Sequence, residues 1–355
     1  MPSPRPRFTD LPISAATAYA QVQSAALSAE LQRDVSHLNG SFSTKRVGTG
    51  LHWYFSYRDP DQKIRQLYVG PDSPAVRSLV ERAKEPAPAV RLKPLCKAAV
   101  ALGCASAVRK HVAVIRRLNE YGFFRAGGVL VGTHAFLTFS NLLGVRWHDS
   151  DQSSDVDFAH AGRNISVALP GNVDVEAHAA LTTLEDGFLP LIQYRGNVGA
   201  TYRHAKDLEF EVDFLTPRVT NADEPVVVPN LNVAMQPLRF MEFAFIDVEQ
   251  AVVFDNTGQC TAVTVPSPSR YAVHKLLIVG ERSLRFRTKV GKDVSQAAAL
   301  LEYFRERDPE AVAPAWADAL ARGPGWRKRA KEGLAALAAA DAGLAHYLSD
   351  GALST

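Results

Sequence analysis

The stretch from Gly127 to His160, GGVLVGTHAFLTFSNLLGVRWHDSDQSSDVDFAH, constrains the fold of this chain more than any other. The apolar run Val129-Leu130-Val131 stops at Gly132-Thr133, and Asp155-Val156-Asp157-Phe158 follows after room for one helix, 133–143. Period-two alternation puts Asp155 and Asp157 on one face of a strand and Val156 and Phe158 on the other. Two carboxylates side by side repel each other and hold protons unless a cation lies between them. Hard divalent ions such as Mg²⁺ suit such a pair, because they take carboxylate oxygens and keep sites for water and substrate phosphate. A small-residue turn after a buried strand, followed by an acid pair, points to nucleotide phosphate chemistry. Taken alone, Asp-x-Asp is also what any solvated edge strand can carry.

A second acidic strand is written at 208–215, LEFEVDFL, where Phe210, Val212 and Phe214 alternate with Glu209, Glu211 and Asp213. Turn, buried run and acidic strands together resemble the core motif of the polymerase-β-type nucleotidyltransferase superfamily. That motif joins a strand, a Gly-Gly/Ser/Thr turn and an Asp-x-Asp strand. Val131-Gly132-Thr133-His134-Ala135-Phe136 with Ser154-Asp155-Val156-Asp157-Phe158 most resembles bacterial nucleotidyltransferase-fold proteins related to the toxin-type branch. The distance from Gly132 to Asp155 exceeds the shortest forms of the motif and fits that branch better.

The resemblance implies an α+β nucleotidyltransferase fold, a mixed sheet flanked by helices, with an N-terminal helix and β-hairpin region and a C-terminal helical domain. It implies Asp155, Asp157 and Asp213 as catalytic acids and as ligands of Mg²⁺ or Mn²⁺. Asp213 is the third acid because it sits near its strand end, just before Thr216-Pro217. It further implies Gly132, Thr133 and Ser154 around the phosphates of an NTP, with ATP one candidate.

A second constellation begins at Ser269. Between Arg270 and Asp293 stand Arg270, Lys275, Arg282, Arg285, Arg287, Lys289 and Lys292, opposed by Glu281 and Asp293. That excess makes a local positive surface although the chain carries a net charge of only +3. The plain reading is a solvated helix–loop–helix. The toxin-like relatives carry a Lys on a helix, followed by a helix start of the form Lys/Arg-x-x-Asp. By that resemblance Lys275 is a phosphate ligand, and Asp293 either positions Lys275 or caps its own helix.

At 355 residues the chain divides into an accessory region (1–94), a catalytic domain (95–265) and a helical domain (266–355). Hydrophobic content of 46% and charged content of 22% are ordinary for a globular protein. No apolar run approaches the ~20 residues that span a bilayer. The N-terminal MPSPRPRFTD lacks the apolar core of a signal peptide, so a cytoplasmic, non-membrane protein is expected. Cys96, Cys104 and Cys260 follow no zinc-like spacing and read as buried thiols.

The sequence further predicts a helix over 14–38, a hairpin of strands 51–58 and 63–69, and a helix over 73–83. A stiff connector at 85–94 should follow, then one long helix over 95–121. Strand material is expected at 165–169 and 187–192, a hairpin at 197–215, and short helices at 315–322 and 327–348. The N-terminal hairpin mixes aromatics with Lys45, Arg46, Arg58, Lys63 and Arg65. This is the composition of a nucleic-acid contact, and equally of a surface that packs on a partner protein or on the chain itself.

His148, Asp149 and Asp151 read as a polar loop or a metal site. His134 either approaches the triphosphate or packs, and His111 and His204 read as ordinary. Neither a Gly-x-Ser-x-Gly elbow nor a Walker loop is present. The expected activity is metal-dependent transfer of an NMP from an NTP to an acceptor hydroxyl, with pyrophosphate release. The acceptor could be an RNA 3′ end, a protein or a small molecule, the basic stretch favouring RNA. The branch also suggests toxin–antitoxin-like control through a partner protein on the hairpin. Alternatives are a non-catalytic binding module on the same fold and a metal-dependent phosphodiesterase.

Overall fold

A computed structural model describes residues 6–31, 40–48, 50–58, 64–84, 88–148, 155–161, 175–184, 187–192, 198–219, 223–281 and 287–350. Ser154, Asp149, Asp151, Arg282, Arg285 and the strand expected at 165–169 lie outside those residues.

The chain opens with β1 (Phe8–Asp10) and α1 (Ile13–Leu31). On α1 the residues Ala15, Ala18, Tyr19, Val22 and Ala26 are buried, the stripe that helical periodicity directs onto one face. Three antiparallel strands follow: β2 (Gly40–Val47), β3 (Gly50–Arg58) and β4 (Ile64–Pro71). The expected hairpin is therefore a three-stranded sheet. Its first strand, GSFSTKRV, is too polar to stand out from the sequence. After β4 comes α2 (Pro74–Lys84), which packs on it.

Two expectations fail next. The connector at 85–94 is helical from Pro88, because α3 spans Pro88–Leu102 and keeps Pro94 inside it. Packing of Leu92, Cys96 and Ala99 against α1 outweighs the backbone bond that Pro94 cannot make. The long helix also breaks. Gly103 adopts φ +116°, Gly103 N–H donates to Val100 and Cys104 N–H to Ala99, which closes α3 as a Schellman motif. The chain resumes as α4 (Arg109–Glu120).

The central region runs β5 (Gly128–Val131), α5 (Gly132–Leu142), β6 (Val145–Trp147) and β7 (Val156–His160). It continues with α6 (Ala177–Thr182), β8 (Phe188–Ile192), β9 (Val198–His204), β10 (Glu211–Pro217), β11 (Val226–Val228) and β12 (Val233–Leu238). Seven of these strands form one mixed sheet, ordered β11-β12-β10-β7-β5, with β8 and β9 attached beside β10. β7 pairs antiparallel with β5 and parallel with β10.

Along its other edge β10 holds two partners. β9 pairs with Glu211 to Asp213, and β12 pairs with Leu215 to Pro217, so the sheet forks at that point. One face of the sheet is the main core, where Val156, Phe158, Val212 and Phe214 are fully buried. Phe158 stacks on Phe214 at 5.8 Å, with Phe123 edge-on to both. Each such side chain contributes about 1.5–3 kcal/mol by burial.

A hairpin of β13 (Val248–Phe254) and β14 (Cys260–Pro266) joins α1 and α3 in a second apolar cluster, which includes Cys96, Cys104 and Cys260 as buried free thiols. The chain ends in α7 (Pro268–Val279), α8 (Arg287–Arg307), α9 (Ala313–Ala321), α10 (Pro324–Ala340) and α11 (Ala342–Asp350). The stretch read as one helix over 327–348 is broken at Asp341, whose carboxylate accepts the Leu344 N–H at 3.0 Å and starts α11. Among the described residues, no helix is long and apolar enough to cross a membrane.

Candidate active site

Strand parity assembles the acids. Asp157 stands opposite Val131 on β5 and opposite Asp213 on β10, so two carboxylates from parallel neighbours meet on the face away from Phe158 and Phe214. Asp155 precedes Asp157 by two and shares its parity. The turn after β5 closes on this pair. Gly132 has φ +62°, and a Cβ built there would lie 1.9 Å from Asp157 Oδ2. Only glycine brings the backbone this close to the carboxylate in that conformation.

Helix α5 starts at Gly132 with Val131 as its N-cap, and no side chain caps it. The opening N–H groups and positive end of the helix dipole therefore lie next to the acids. Thr133 is buried in the first turn.

The carboxylates feel one another. Asp157 meets solvent over part of its surface but is crowded by protein on most sides. Burial pushes its pKa up to about 6, the charges of Asp213 and Asp155 add to the rise, and Lys275 and Lys289 oppose it. The Asp213 pKa is also raised by burial, with Asp155 and Glu211 adding, while the Thr201 hydroxyl donating at 2.5 Å and Lys289 oppose. Neighbouring anions of this kind are the donor set a divalent cation stabilises. Among the described residues, no three His, Cys, Asp or Glu side chains form a ready-made cage. An ion here would complete its shell with water and phosphate, as Mg²⁺ commonly does.

Lys275, on α7, is buried, and its Nζ lies 2.7 Å from Asp293 Oδ1 on α8. Asp293 stands in the second turn of a helix that begins at Arg287. The capping role is thus excluded, and Asp293 holds the lysine. The sequence reading also missed Tyr271, one turn before Lys275 on the same face. Its single phenolic proton is shared between the Gly132 carbonyl at 2.8 Å and Gln296 Oε1 at 2.9 Å. Burial holds the Tyr271 pKa well above the usual phenol range, with Asp293 and Asp157 adding, so it remains a donor. The clue was the Tyr271–Lys275 spacing of four, which puts both on one helix face.

His134 is buried, and its Nε2 lies 2.9 Å from His111 Nδ1. Burial lowers the pKa of His134 to about 3 and that of His111 to about 4, so both are neutral at physiological pH. His111, unremarkable in sequence, is thereby part of the support beneath the turn. His148 ties the chain start instead, its Nδ1 lying 2.7 Å from the Pro6 carbonyl. His204 Nδ1 accepts the Asp207 N–H at 2.9 Å, a turn contact.

At the fork of the sheet a cavity of about 360 Å³ opens beside the acids, lined by Leu191, Gly199, Ala200, Thr201, Asp213, Leu215 and Gln236. Its walls are mostly apolar, with Asp213 and Gln236 as its main polar ends.

A family model described as nucleotidyltransferase matches residues 109–321, more than half of the chain. The match runs from the first residue of α4 to the last of α9 and takes in the turn, the three acids, Tyr271, Lys275 and Asp293. No curated protein and no solved structure gives a match.

Proposed function

The chain belongs to the nucleotidyltransferase family, and from that premise we propose that it moves an NMP from an NTP to an acceptor hydroxyl, releasing pyrophosphate, with Mg²⁺ or Mn²⁺ required. The observation that carries this reading is the in-register pair Asp157–Asp213, with Gly132 closed against Asp157. Asp155, Asp157 and Asp213 would hold the metal. When bound, it supplies charge stabilisation on the phosphates and the leaving pyrophosphate.

The protein's own groups do the rest. Backbone N–H groups of Gly132 and Thr133 at the start of α5, with Ser154, which precedes Asp155 in sequence, receive the β- and γ-phosphates. Lys275 adds positive charge to that side, held in place by Asp293. Tyr271 fixes the Gly132 carbonyl and so the orientation of the turn. The acceptor enters by the cavity at the fork. There Asp213, which lines the cavity, is placed either to hold the metal or to take the hydroxyl proton. The acceptor oxygen attacks the α-phosphorus in line, and the bond from that phosphorus to the pyrophosphate oxygen breaks.

The test is transfer of label from each α-³²P-NTP, with Mg²⁺ or Mn²⁺, into total RNA, protein and small molecules. Asp155→Ala/Asp157→Ala protein is the control. Label with wild type only, together with released pyrophosphate, is the expected result. Equal label with the variant, or hydrolysis without transfer, would remove the reading.

A further inference from the structure

The three-stranded sheet at 40–71 contributes none of the site residues described above, and none of its described residues belongs to the three apolar clusters. Its two faces differ. On one, Phe55 is buried, with Phe42 at 4.9 Å. On the other, strand register aligns Lys45 with His52, Ser43 with Tyr54, Tyr54 with Tyr68 and Ser56 with Gln66.

This second face carries rings and hydrogen-bonding groups, of which Tyr68, Lys45 and Gln66 are exposed and Tyr54, His52 and Ser56 half-buried. Tyr68 is 57% exposed. The Tyr54 and Tyr68 centroids are 5.4 Å apart, and His52 is 5.8 Å from Tyr68, with its Nδ1 2.9 Å from the Tyr68 hydroxyl. Lys45 Nζ lies 4.8 Å from the Tyr54 centroid and donates to Gln66, which in turn donates to the Ser56 hydroxyl at 3.1 Å. By register Lys45 lies on this face and Arg46, opposite Leu51, on the other, and the three strands contain neither Asp nor Glu.

We infer that this face binds single-stranded RNA and so delivers the acceptor hydroxyl. The inference names the acceptor class for the transfer reading above and rests on it. Charge complementarity selects the occupant. An all-basic sheet repels another cationic surface and attracts a phosphodiester backbone. Exposed rings on a sheet supply π-faces on which unpaired bases stack without regard to sequence. The serine hydroxyls and the Gln66 amide offer partners for ribose 2′-hydroxyls, which favours RNA over DNA. A double helix would hide the base faces that Tyr54 and Tyr68 address.

The experiment is fluorescence anisotropy of a short fluorescein-labelled single-stranded RNA titrated with the full chain, without NTP or divalent metal, over a series of NaCl concentrations. Wild type is expected to bind, more weakly as salt rises. Tyr54→Ala/Tyr68→Ala should weaken binding by about tenfold or more. Lys45→Ala should lower the slope of log K against log salt by about 0.7. Tyr54→Phe/Tyr68→Phe keeps both rings and should bind like wild type, which separates stacking from any loss of folding in the Ala variant.

Failure of wild type to bind RNA, as for a face that holds a protein, overturns the inference. So does undiminished binding by the Ala pair, or equal loss in the Phe pair. Label entering another acceptor while RNA fails to bind would sink the RNA inference and leave the transfer reading standing. RNA bound but never labelled by wild type would overturn its role as acceptor.

Discussion

Replacing Asp157 by Asn should make the protein more stable while abolishing transfer. Asn keeps the size of the carboxylate and removes its charge. The Asp157 pKa is about 6 in the fold against 3.8 for an ordinary aspartate. The folded state therefore holds a proton that the unfolded chain releases, so wild-type stability falls as pH rises through the interval from 3.8 to about 6. Above that interval the penalty is complete, and the gap between the two pKa values corresponds to about 3 kcal/mol. This is an upper value, because solvent reaches part of the carboxylate. A chain of 355 residues unfolds with an entropy of ~0.7 kcal/mol/K, so the variant should melt about 4 °C higher at pH 8. The gain should shrink by most of that amount near pH 4.5, where Asp157 is mostly protonated in the wild-type fold. The assay is calorimetric melting of both proteins in EDTA at the two pH values, then with Mg²⁺. The metal should raise the wild type more than the variant and narrow the gap at pH 8. An Asp157→Asn protein that melts at or below wild type at pH 8, or that gains equally at both pH values, would refute the reasoning.

Other substitutions probe the supports of the site. Gly132→Ala puts a methyl group into the Asp157 carboxylate in a left-handed conformation, so it should lose at least about 1–2 kcal/mol of stability and most NTP binding; denaturant melts and calorimetric titration read both. Tyr271→Phe removes the proton shared with the Gly132 carbonyl, and transfer should fall about tenfold for the ~1.4 kcal/mol lost in orienting the turn; a rate equal to wild type would show that the turn holds itself. Lys275→Met removes the charge-assisted bond to buried Asp293 and should destabilise by about 1.5–3 kcal/mol in urea melts. Adding Asp293→Leu should recover most of that stability and none of the transfer activity, and a double variant that turns over normally would remove Lys275 from the phosphate site.

What the sequence revealed follows from distance along the chain. The alternation of Asp155 and Asp157 with Val156 and Phe158, and of Asp213 with Val212 and Phe214, is a local period-two pattern, whereas choosing Asp213 as the third acid took the family resemblance. The pairing of Lys275 with Asp293 was open in the sequence. It turns on where α8 begins, and a start at Arg287 decides it. The Tyr271–Gly132 contact joins residues 139 apart and has no local signature. The same holds for the His111–His134 contact, and for the fork where β9 and β12 share one edge of β10. Helix propensity carried 95–121 through Gly103, although a left-handed glycine with Schellman bonding ends α3 there. At 88–94 the prolines argued for a connector, and packing on α1 made a helix.

The parallel alignment of β7 and β10 also guards against error. In each strand the residue next to the acid on the far face is a fully buried phenylalanine, Phe158 beside Asp157 and Phe214 beside Asp213. Slipping either strand by one position would turn its phenylalanine out into the cleft and its carboxylate into the core. Folding therefore proofreads chemistry: a molecule whose acids are out of step is also one whose interior is unsatisfied, and it is eliminated by its own instability before it can bind nucleotide unproductively.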